Sequence, residues 1–214
     1  MKENYITHCK NVFVLIRMTL FHLSDGLVTG YSDRMFLNII TPCIRPEYLS
    51  DIEQSINIPR EQFRWIVVFD SESIPDNVDL PESAEVYAHR RAGSVNGSQQ
   101  RNFGLSLIKH GHVYFNDDDT TLHESLWDNL VNNFDHDFIS FDQLNSDLSF
   151  RLYGRVIEPG RIDTHTFVVS RKLVAGTTWV DNEFCDGIFA KQCYSKARNP
   201  LYIHKYLSVY NSLR

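Results

Sequence analysis

The sequence predicts an α/β domain with a mainly parallel central sheet flanked by helices. Three observations support this prediction. Apolar runs of strand length alternate with amphipathic segments of helix length along most of the chain. The chain has 214 residues, a length that suits a single domain. Because 43% of its residues are hydrophobic, it has enough apolar surface to bury one core.

Charge and cysteine content argue against several classes of protein. The formal net charge of -6 disfavours a nucleic-acid-binding protein, because neutralising phosphates requires a basic surface. The four cysteines lack zinc-ribbon spacing and are typical of reduced thiols. The apolar run 11–23 contains Arg17 and His22 and is shorter than the roughly 20 apolar residues of a membrane-spanning helix. We therefore expect no membrane-spanning segment and no nucleic-acid partner.

The first half of the chain has the clearest alternation of strands and helices. Residues 1–34 differ in character from the rest and form a predicted N-terminal extension of unknown role, before a domain over 35–214. The predicted strands in this half are 36–40, 63–69, 85–88 and 112–115. The predicted helices are one that opens at Arg45-Pro46-Glu47, one over 99–109 and one over 122–131. Ligands of such a sheet bind beyond the carboxyl ends of its strands.

The second half of the chain has a more mixed pattern. Residues 138–141, 149–153 and 166–170 have the composition of strands, without helices of clear length between all of them. We therefore expect antiparallel additions to the sheet here. No internal repeat or low-complexity segment is present, which favours one compact domain.

A run of three acidic residues, Asp117, Asp118 and Asp119, follows a predicted strand directly. Adjacent like charges raise one another's pKa, and a divalent cation such as Mn2+ or Mg2+ would relieve that repulsion. The alternative is a solvated acidic turn that caps a helix beginning near Leu122. Asp70 follows another strand, so both acidic positions lie where ligands of a parallel sheet bind.

Four segments resemble a known enzyme family in matching order. The segment 114–120 resembles the DxD motif of GT-A glycosyltransferases. The segment 100–105 is similar to the Arg-Asn helix that precedes this motif in inverting β-1,3-glucuronyltransferases and many family-2-like enzymes. Residues 36–46 and 65–71 resemble the first two strands of that family. The resemblance covers roughly 36–130 and implies a GT-A, Rossmann-like fold.

The resemblance also implies roles for individual residues. As contacts to the nucleoside of a sugar nucleotide it implies Thr41, Pro42, Arg45 and Asp70. Arg101 would approach the diphosphate, and a guanidinium suits phosphate oxygens because it can bind them bidentately. Asp119 would be the most direct metal ligand. Asp117 and Asp118 would contact the ribose, the sugar or the metal through water.

An inverting transfer needs a general base beside the acceptor hydroxyl, and a carboxylate is the usual choice. The segment from Trp179 to Phe189 resembles the acidic loop and helix that carry this base in family-2-like enzymes. Asp186 is the first candidate and Glu183 the second. Asp181 could instead cap the helix.

Three further polar residues are weaker candidates. His204 could reach the metal or the phosphates from the C-terminal part of the chain, although a single histidine in an apolar stretch is more often structural. Asp163 and His165 precede a strand and could line the acceptor side, but nothing in the sequence ranks them above ordinary loop residues.

The predicted function is metal-dependent transfer of a sugar from a nucleoside-diphosphate sugar, with UDP favoured, to a hydroxyl of a glycan acceptor with inversion. One alternative is a nucleotidyltransferase, although the Gly-rich loop and Lys of that chemistry are not seen after the first strand. The other is a non-catalytic domain that binds sugar nucleotides or glycans. The size resembles glycosyltransferase domains of bacteria and large viruses, which implies the bacterial or viral-host cytoplasm.

Overall fold

The structure of the chain is a computed structural model that describes residues 35–90 and 96–214. The predicted extension 1–34 lies outside the described residues. The described strands are β1 Leu37–Cys43, β2 Phe63–Phe69, β3 Ala84–Ala88, β4 His112–Phe115, β5 Phe138–Asn145, β6 Phe150–Leu152, β7 Phe167–Ser170 and β8 Pro200–Tyr210. The α-helices are α1 Leu49–Ser55, α2 Ser98–Ser106, α3 Leu126–Leu130, α4 Arg171–Val174 and α5 Cys185–Tyr194. Short 3-10 helices cover Pro46–Tyr48, Arg60–Gln62 and Thr164–Thr166.

All described strands belong to one sheet, whose order is β3-β2-β1-β4-β7-β5-β6, with β8 paired to β5. Strands β3, β2, β1 and β4 are parallel to their neighbours. Strand β7 runs antiparallel to β4 and β5, and β6 runs antiparallel to β5. Strand β8 is parallel to β5. The predicted parallel sheet with antiparallel additions in the C-terminal half is thereby confirmed.

Apolar side chains cover both faces of the sheet, as expected for strands buried on two sides. On β1, Ile39 belongs to one buried cluster and its neighbour Ile40 to the other, because successive side chains point to opposite faces. Helix α1 contributes Ile52 to the first cluster. Helices α2 and α5 contribute Leu105 and Phe189 to the second. The sheet is therefore the middle layer of the domain.

Two predicted elements differ in length from those observed. The first strand was predicted to end at Ile40, but β1 continues to Cys43, which pairs with Phe69 of β2. Parallel pairing with β2 therefore extends the strand through its Thr-Pro step. The helix predicted over 122–131 is shortened to α3, because turns occupy 118–119 and 124–125 and the residues between them have no regular secondary structure.

The carboxyl ends of β1, β2 and β4 meet at one edge of the sheet, since β1 lies between the other two strands. The Asn116 N–H, just after β4, donates to the Ile40 carbonyl 3.0 Å away. Helix α2 begins at the same edge after Gly97, whose φ is 68°. A Cβ at Gly97 would lie 2.8 Å from Cβ of Pro42, so a glycine there lets α2 approach β1 closely. In residues 35–90 and 96–214, no helix is long and apolar enough to cross a membrane.

Candidate active site

A cavity of about 490 Å³ opens at this edge of the sheet. It brings together most of the site residues predicted from the sequence. Those that line it are Pro42, Arg45, Asp70, Arg101, Asp117, Asp118, Asp119, Glu183 and Asp186. Arg151, Asp163, Tyr210 and Arg214 also line it. The wall is therefore rich in both carboxylates and guanidinium groups.

Both carboxylate oxygens of Asp118 accept hydrogen bonds from the loop that follows β1. Its Oδ2 accepts hydrogen bonds from the backbone N–H groups of Ile44 at 2.6 Å and Arg45 at 2.8 Å. Its Oδ1 accepts from the Arg45 Nε at 2.9 Å and also from the Arg45 Nη2. Asp118 is only 2% exposed. Both oxygens are occupied, so this geometry does not favour the predicted donor contact for Asp118 and gives the residue a structural role instead.

Asp119 is neutralised by two arginines of the chain. Its Oδ2 lies 2.9 Å from Nη1 of Arg45 and 2.7 Å from Nη2 of Arg214. Burial and the charge of Asp117 nevertheless raise the pKa of Asp119, against the opposing effect of Arg45. The carboxylate therefore retains unfavourable charge that a further cation could offset.

Arg101 occupies the centre of the site and is 3% exposed. Its guanidinium donates to the Asp117 carboxylate and to the Asn96 carbonyl. The group also lies 4.7 Å from the ring centroid of Trp179. The buried Arg101 Nε has no hydrogen-bond partner within the described part of the chain. Arg101 lines the cavity, and a planar group with several N–H donors suits phosphate oxygens.

A buried histidine links the acidic loop to the short 3-10 helix that precedes β7. His165 Nδ1 lies 2.8 Å from Oδ1 of Asp163, and the Asp117 backbone N–H lies 2.9 Å from His165 Nε2. In the neutral ring Nε2 accepts from that N–H; in the protonated ring it faces the Asp117 Oδ2, 3.5 Å away. Burial lowers the pKa of His165, but the Asp117 and Asp163 carboxylates outweigh burial and raise it to about 9. Either state attaches the loop to this 3-10 helix.

His165 is only 1% exposed and is not among the residues that line the cavity. Asp163 does line the cavity, where it receives an ion pair from Arg151 at 2.9 Å. The Arg151 guanidinium lies 3.4 Å from the ring centroid of Tyr210. Sequence reasoning missed Arg151 and Tyr210, because their strands are separated along the chain and only the sheet brings them together.

The two candidate bases occupy different environments. Asp186 lies in the first turn of α5 and lines the cavity. Burial raises the pKa of Asp186, and the nearby charge of Arg101 opposes that rise without cancelling it. A carboxylate with a raised pKa accepts a proton more readily, which suits a general base. Glu183 lies at the rim and is exposed. Asp181 accepts a hydrogen bond from Gln99 at 2.9 Å.

The carboxylates fit a hard divalent cation in chemistry, since Asp117 and Asp119 present oxygen ligands on the cavity wall. In the conformation described for 35–90 and 96–214, however, no three or more His, Cys, Asp or Glu side chains are arranged to hold a metal. Arg101 pairs with Oδ1 of Asp117, and Arg45 and Arg214 pair with Oδ2 of Asp119. Metal binding at Oδ2 of Asp119 would therefore require an arginine to move.

Two predicted site residues do not reach the cavity. Thr41 is fully buried, and its Oγ1 accepts a hydrogen bond from Trp65 Nε1 at 3.0 Å. Because side chains alternate along β1, Pro42 lines the cavity and Thr41 does not. His204 lies on β8, outside the lining residues, with a side chain that is 76% exposed and 3.7 Å from Asp142. The predicted metal contact of His204 is therefore not supported by its position.

Comparison with known proteins gives no relative by sequence but several by structure. No family model matches the chain, and no curated protein matches it. TarS 1-349 from S. aureus superposes with a TM-score of 0.66 at 15% identity, covering 82% of this chain and 60% of that chain. The same protein in complex with UDP-GlcNAc gives 0.64 at 15% identity, covering 82% and 58%. Mannosyltransferase PcManGT from Pyrobaculum calidifontis, in complex with GDP-Man and Mn2+, gives 0.60 at 14% identity, covering 81% and 56%.

These similarities establish the fold. The chain spans at most 60% of the length of these structures, and identities of 14–15% carry no residue-level correspondence. The chain therefore shares the α/β architecture of TarS and of a mannosyltransferase, as the sequence pattern predicted.

Proposed function

We propose that the chain is a glycosyltransferase that transfers a sugar from a nucleoside-diphosphate sugar, with UDP favoured, to a hydroxyl of a glycan acceptor with inversion. The observation that carries this proposal is the convergence of Asp117, Asp119, Arg101 and Asp186 on one cavity beyond the carboxyl ends of parallel strands. Structures of similar fold have been solved with UDP-GlcNAc and with GDP-Man and Mn2+, which supports this donor class.

The donor would lie along the edge formed by β1, β2 and α2. Pro42 and Arg45 line the side of the cavity after β1, and the exposed Asp70 carboxylate lies after β2, where it can accept hydrogen bonds from a nucleoside. Arg101 supplies fixed positive charge for the diphosphate. Because Arg101 is buried and stacked on Trp179, it would hold its position during the reaction.

Asp117 and Asp119 are the residues that would hold Mn2+ or Mg2+. Such an ion, when bound, would stabilise the negative charge of the departing diphosphate. Asp118 would contribute indirectly, since its four hydrogen bonds fix the loop that carries Arg45.

Asp186 would accept the proton of the acceptor hydroxyl, with Glu183 as the second candidate. The acceptor oxygen then forms a bond to the anomeric carbon as the bond from that carbon to the diphosphate oxygen breaks. The nucleoside diphosphate leaves with the bonding electrons, and a single displacement inverts the anomeric centre. The raised pKa of Asp186 favours the proton transfer.

A UDP-release assay with a panel of UDP-sugars and glycan acceptors in the presence of Mn2+ tests this proposal. We expect turnover by the wild-type chain and a loss of at least about a hundredfold in Asp186→Asn, the usual size of a general-base contribution. Asp51→Asn, an exposed aspartate on α1, is the matched control and should keep full activity.

Two results would contradict the proposal. UDP binding without release from any sugar nucleotide would indicate the non-catalytic binding domain. Release of pyrophosphate from UTP and a sugar 1-phosphate would instead indicate a nucleotidyltransferase. The cytoplasmic location stays a prediction from the sequence.

A further inference from the structure

The segment after β8 is fastened to the acidic loop. The Leu213 N–H donates to the Asp119 carbonyl at 3.0 Å, and the Thr121 N–H donates to the Ser212 Oγ at 2.9 Å. The segment turns at Asn211, whose φ of 48° belongs to the left-handed region that Asn tolerates better than most residues. These contacts bring a residue from the C-terminal part of the chain to the metal candidate Asp119.

Arg214 is the residue that this turn delivers to the cavity. Its Nη2 lies 2.7 Å from Oδ2 of Asp119, and its side chain is 52% exposed whereas that of Asp119 is 4% exposed. Arg45, the other cation on Asp119, also donates to Asp118 through two nitrogens. Within the described residues, Arg214 forms one ion pair and its side chain forms no further hydrogen bond. Of the two cations, Arg214 is therefore the one that can leave Asp119 at low cost.

The other lining arginines are less free to move. Arg101 is buried and paired with Asp117. Arg151 donates to Gln143 at 2.8 Å, pairs with Asp163 and covers the ring of Tyr210. Arg214 alone among these lining arginines combines high exposure with a contact to the proposed metal ligand.

We propose that Arg214 is a donor-binding residue that exchanges partners. In the ligand-free protein it neutralises Asp119; when a divalent cation takes that carboxylate, the guanidinium turns to the diphosphate that arrives with it. The exchange follows from charge, because a metal and a guanidinium are both cations that compete for one carboxylate, while the diphosphate adds negative charge beside them. This inference rests on the proposed function.

Calorimetric titrations of wild type and Arg214→Ala with Mn2+ alone, and with UDP in saturating Mn2+, test the exchange. In Arg214→Ala we expect Mn2+ alone to bind several-fold more tightly, because its competitor is gone. We expect UDP with Mn2+ to bind about tenfold more weakly, because a charged hydrogen-bond donor is lost. Arg214→Lys should leave Mn2+ affinity unchanged and weaken UDP less, since an ammonium keeps the charge without the bidentate fork.

Arg64→Ala is the matched control, because Arg64 also forms an exposed pair with a carboxylate, Glu85, away from this cavity. It should change neither affinity. Equal or parallel changes of the two affinities in Arg214→Ala would overturn the exchange and leave Arg214 as a brace of the acidic loop. A wild-type chain that binds neither Mn2+ nor UDP would refute the proposed function and this inference together.

Discussion

Substitution of Asp118 tests whether this residue, unlike its neighbours Asp117 and Asp119, mainly stabilises the fold. Asp118→Asn keeps one oxygen that can accept from the Ile44 and Arg45 N–H groups, but it places an amide NH2 against the Arg45 guanidinium. The loss of charge-assisted hydrogen bonds to Arg45 should cost about 2–3 kcal/mol in the free energy of unfolding. At about 2–4 °C per kcal/mol for a chain of this size, the melting temperature should fall by about 5–10 °C.

Asp118→Ala should cost more. It also removes the acceptor of two backbone N–H groups and leaves Arg45 without its principal partner, so we expect a loss of about 3–5 kcal/mol. Urea unfolding followed by tryptophan fluorescence measures both values. Asp70→Asn changes an exposed aspartate of the same cavity and should stay within about 0.5 kcal/mol of wild type.

The order of the unfolding free energies of these variants tests whether Asp118 stabilises the loop after β1. If Asp118→Asn were as stable as wild type, the four hydrogen bonds to Asp118 would not hold the loop after β1. If Asp70→Asn were as destabilising as Asp118→Asn, the loss would reflect the charge of the whole cavity rather than this particular brace.

Three smaller predictions follow from buried contacts. Thr41→Val leaves the Trp65 Nε1 without an acceptor and should cost about 1–3 kcal/mol in urea unfolding, with unchanged UDP affinity; weakened UDP binding would restore Thr41 to the donor site. Gly104→Ala places a Cβ 2.7 Å from Cγ2 of Ile40 and should cost about 1–3 kcal/mol, which a melting curve measures and an unchanged curve would contradict. Burial raises the pKa of the Cys193 thiol to about 12. Iodoacetamide at pH 8 should therefore label this residue only after the chain unfolds, which peptide mass spectrometry measures. Rapid labelling of the native chain would refute the burial of Cys193.

The site explains how the chain tolerates adjacent aspartates before any ligand binds. Each carboxylate pairs with an arginine of the chain: Asp117 with Arg101, Asp118 with Arg45, and Asp119 with both Arg45 and Arg214. Repulsion within the triplet is thereby reduced without a metal. Under the proposed function, binding of a metal and a donor would redistribute these arginines among new partners.

The sequence by itself determined the architecture and the location of the cavity. Apolar runs specify strands because a doubly covered strand must be apolar on both faces, and alternation with helices specifies parallel pairing. Polar residues after parallel strands must then meet at one edge, which is why Asp70 and Asp117 could be placed near one another, whereas Asp186 was placed only by the resemblance of its segment to a known family. These inferences need only local composition and the order of elements.

The roles of individual side chains were decided by tertiary structure. Asp118 bonds to Arg45 across 73 positions of sequence, and His165 reaches Asp117 across 48. Arg214 reaches Asp119 only because β8 pairs with β5 and the chain turns back at Asn211. No local pattern encodes such pairs, since each depends on which strands become neighbours in the sheet. The sequence therefore predicted most of the residues that gather at the site, while the sheet added Arg151, Tyr210 and Arg214 and determined the partners of each carboxylate.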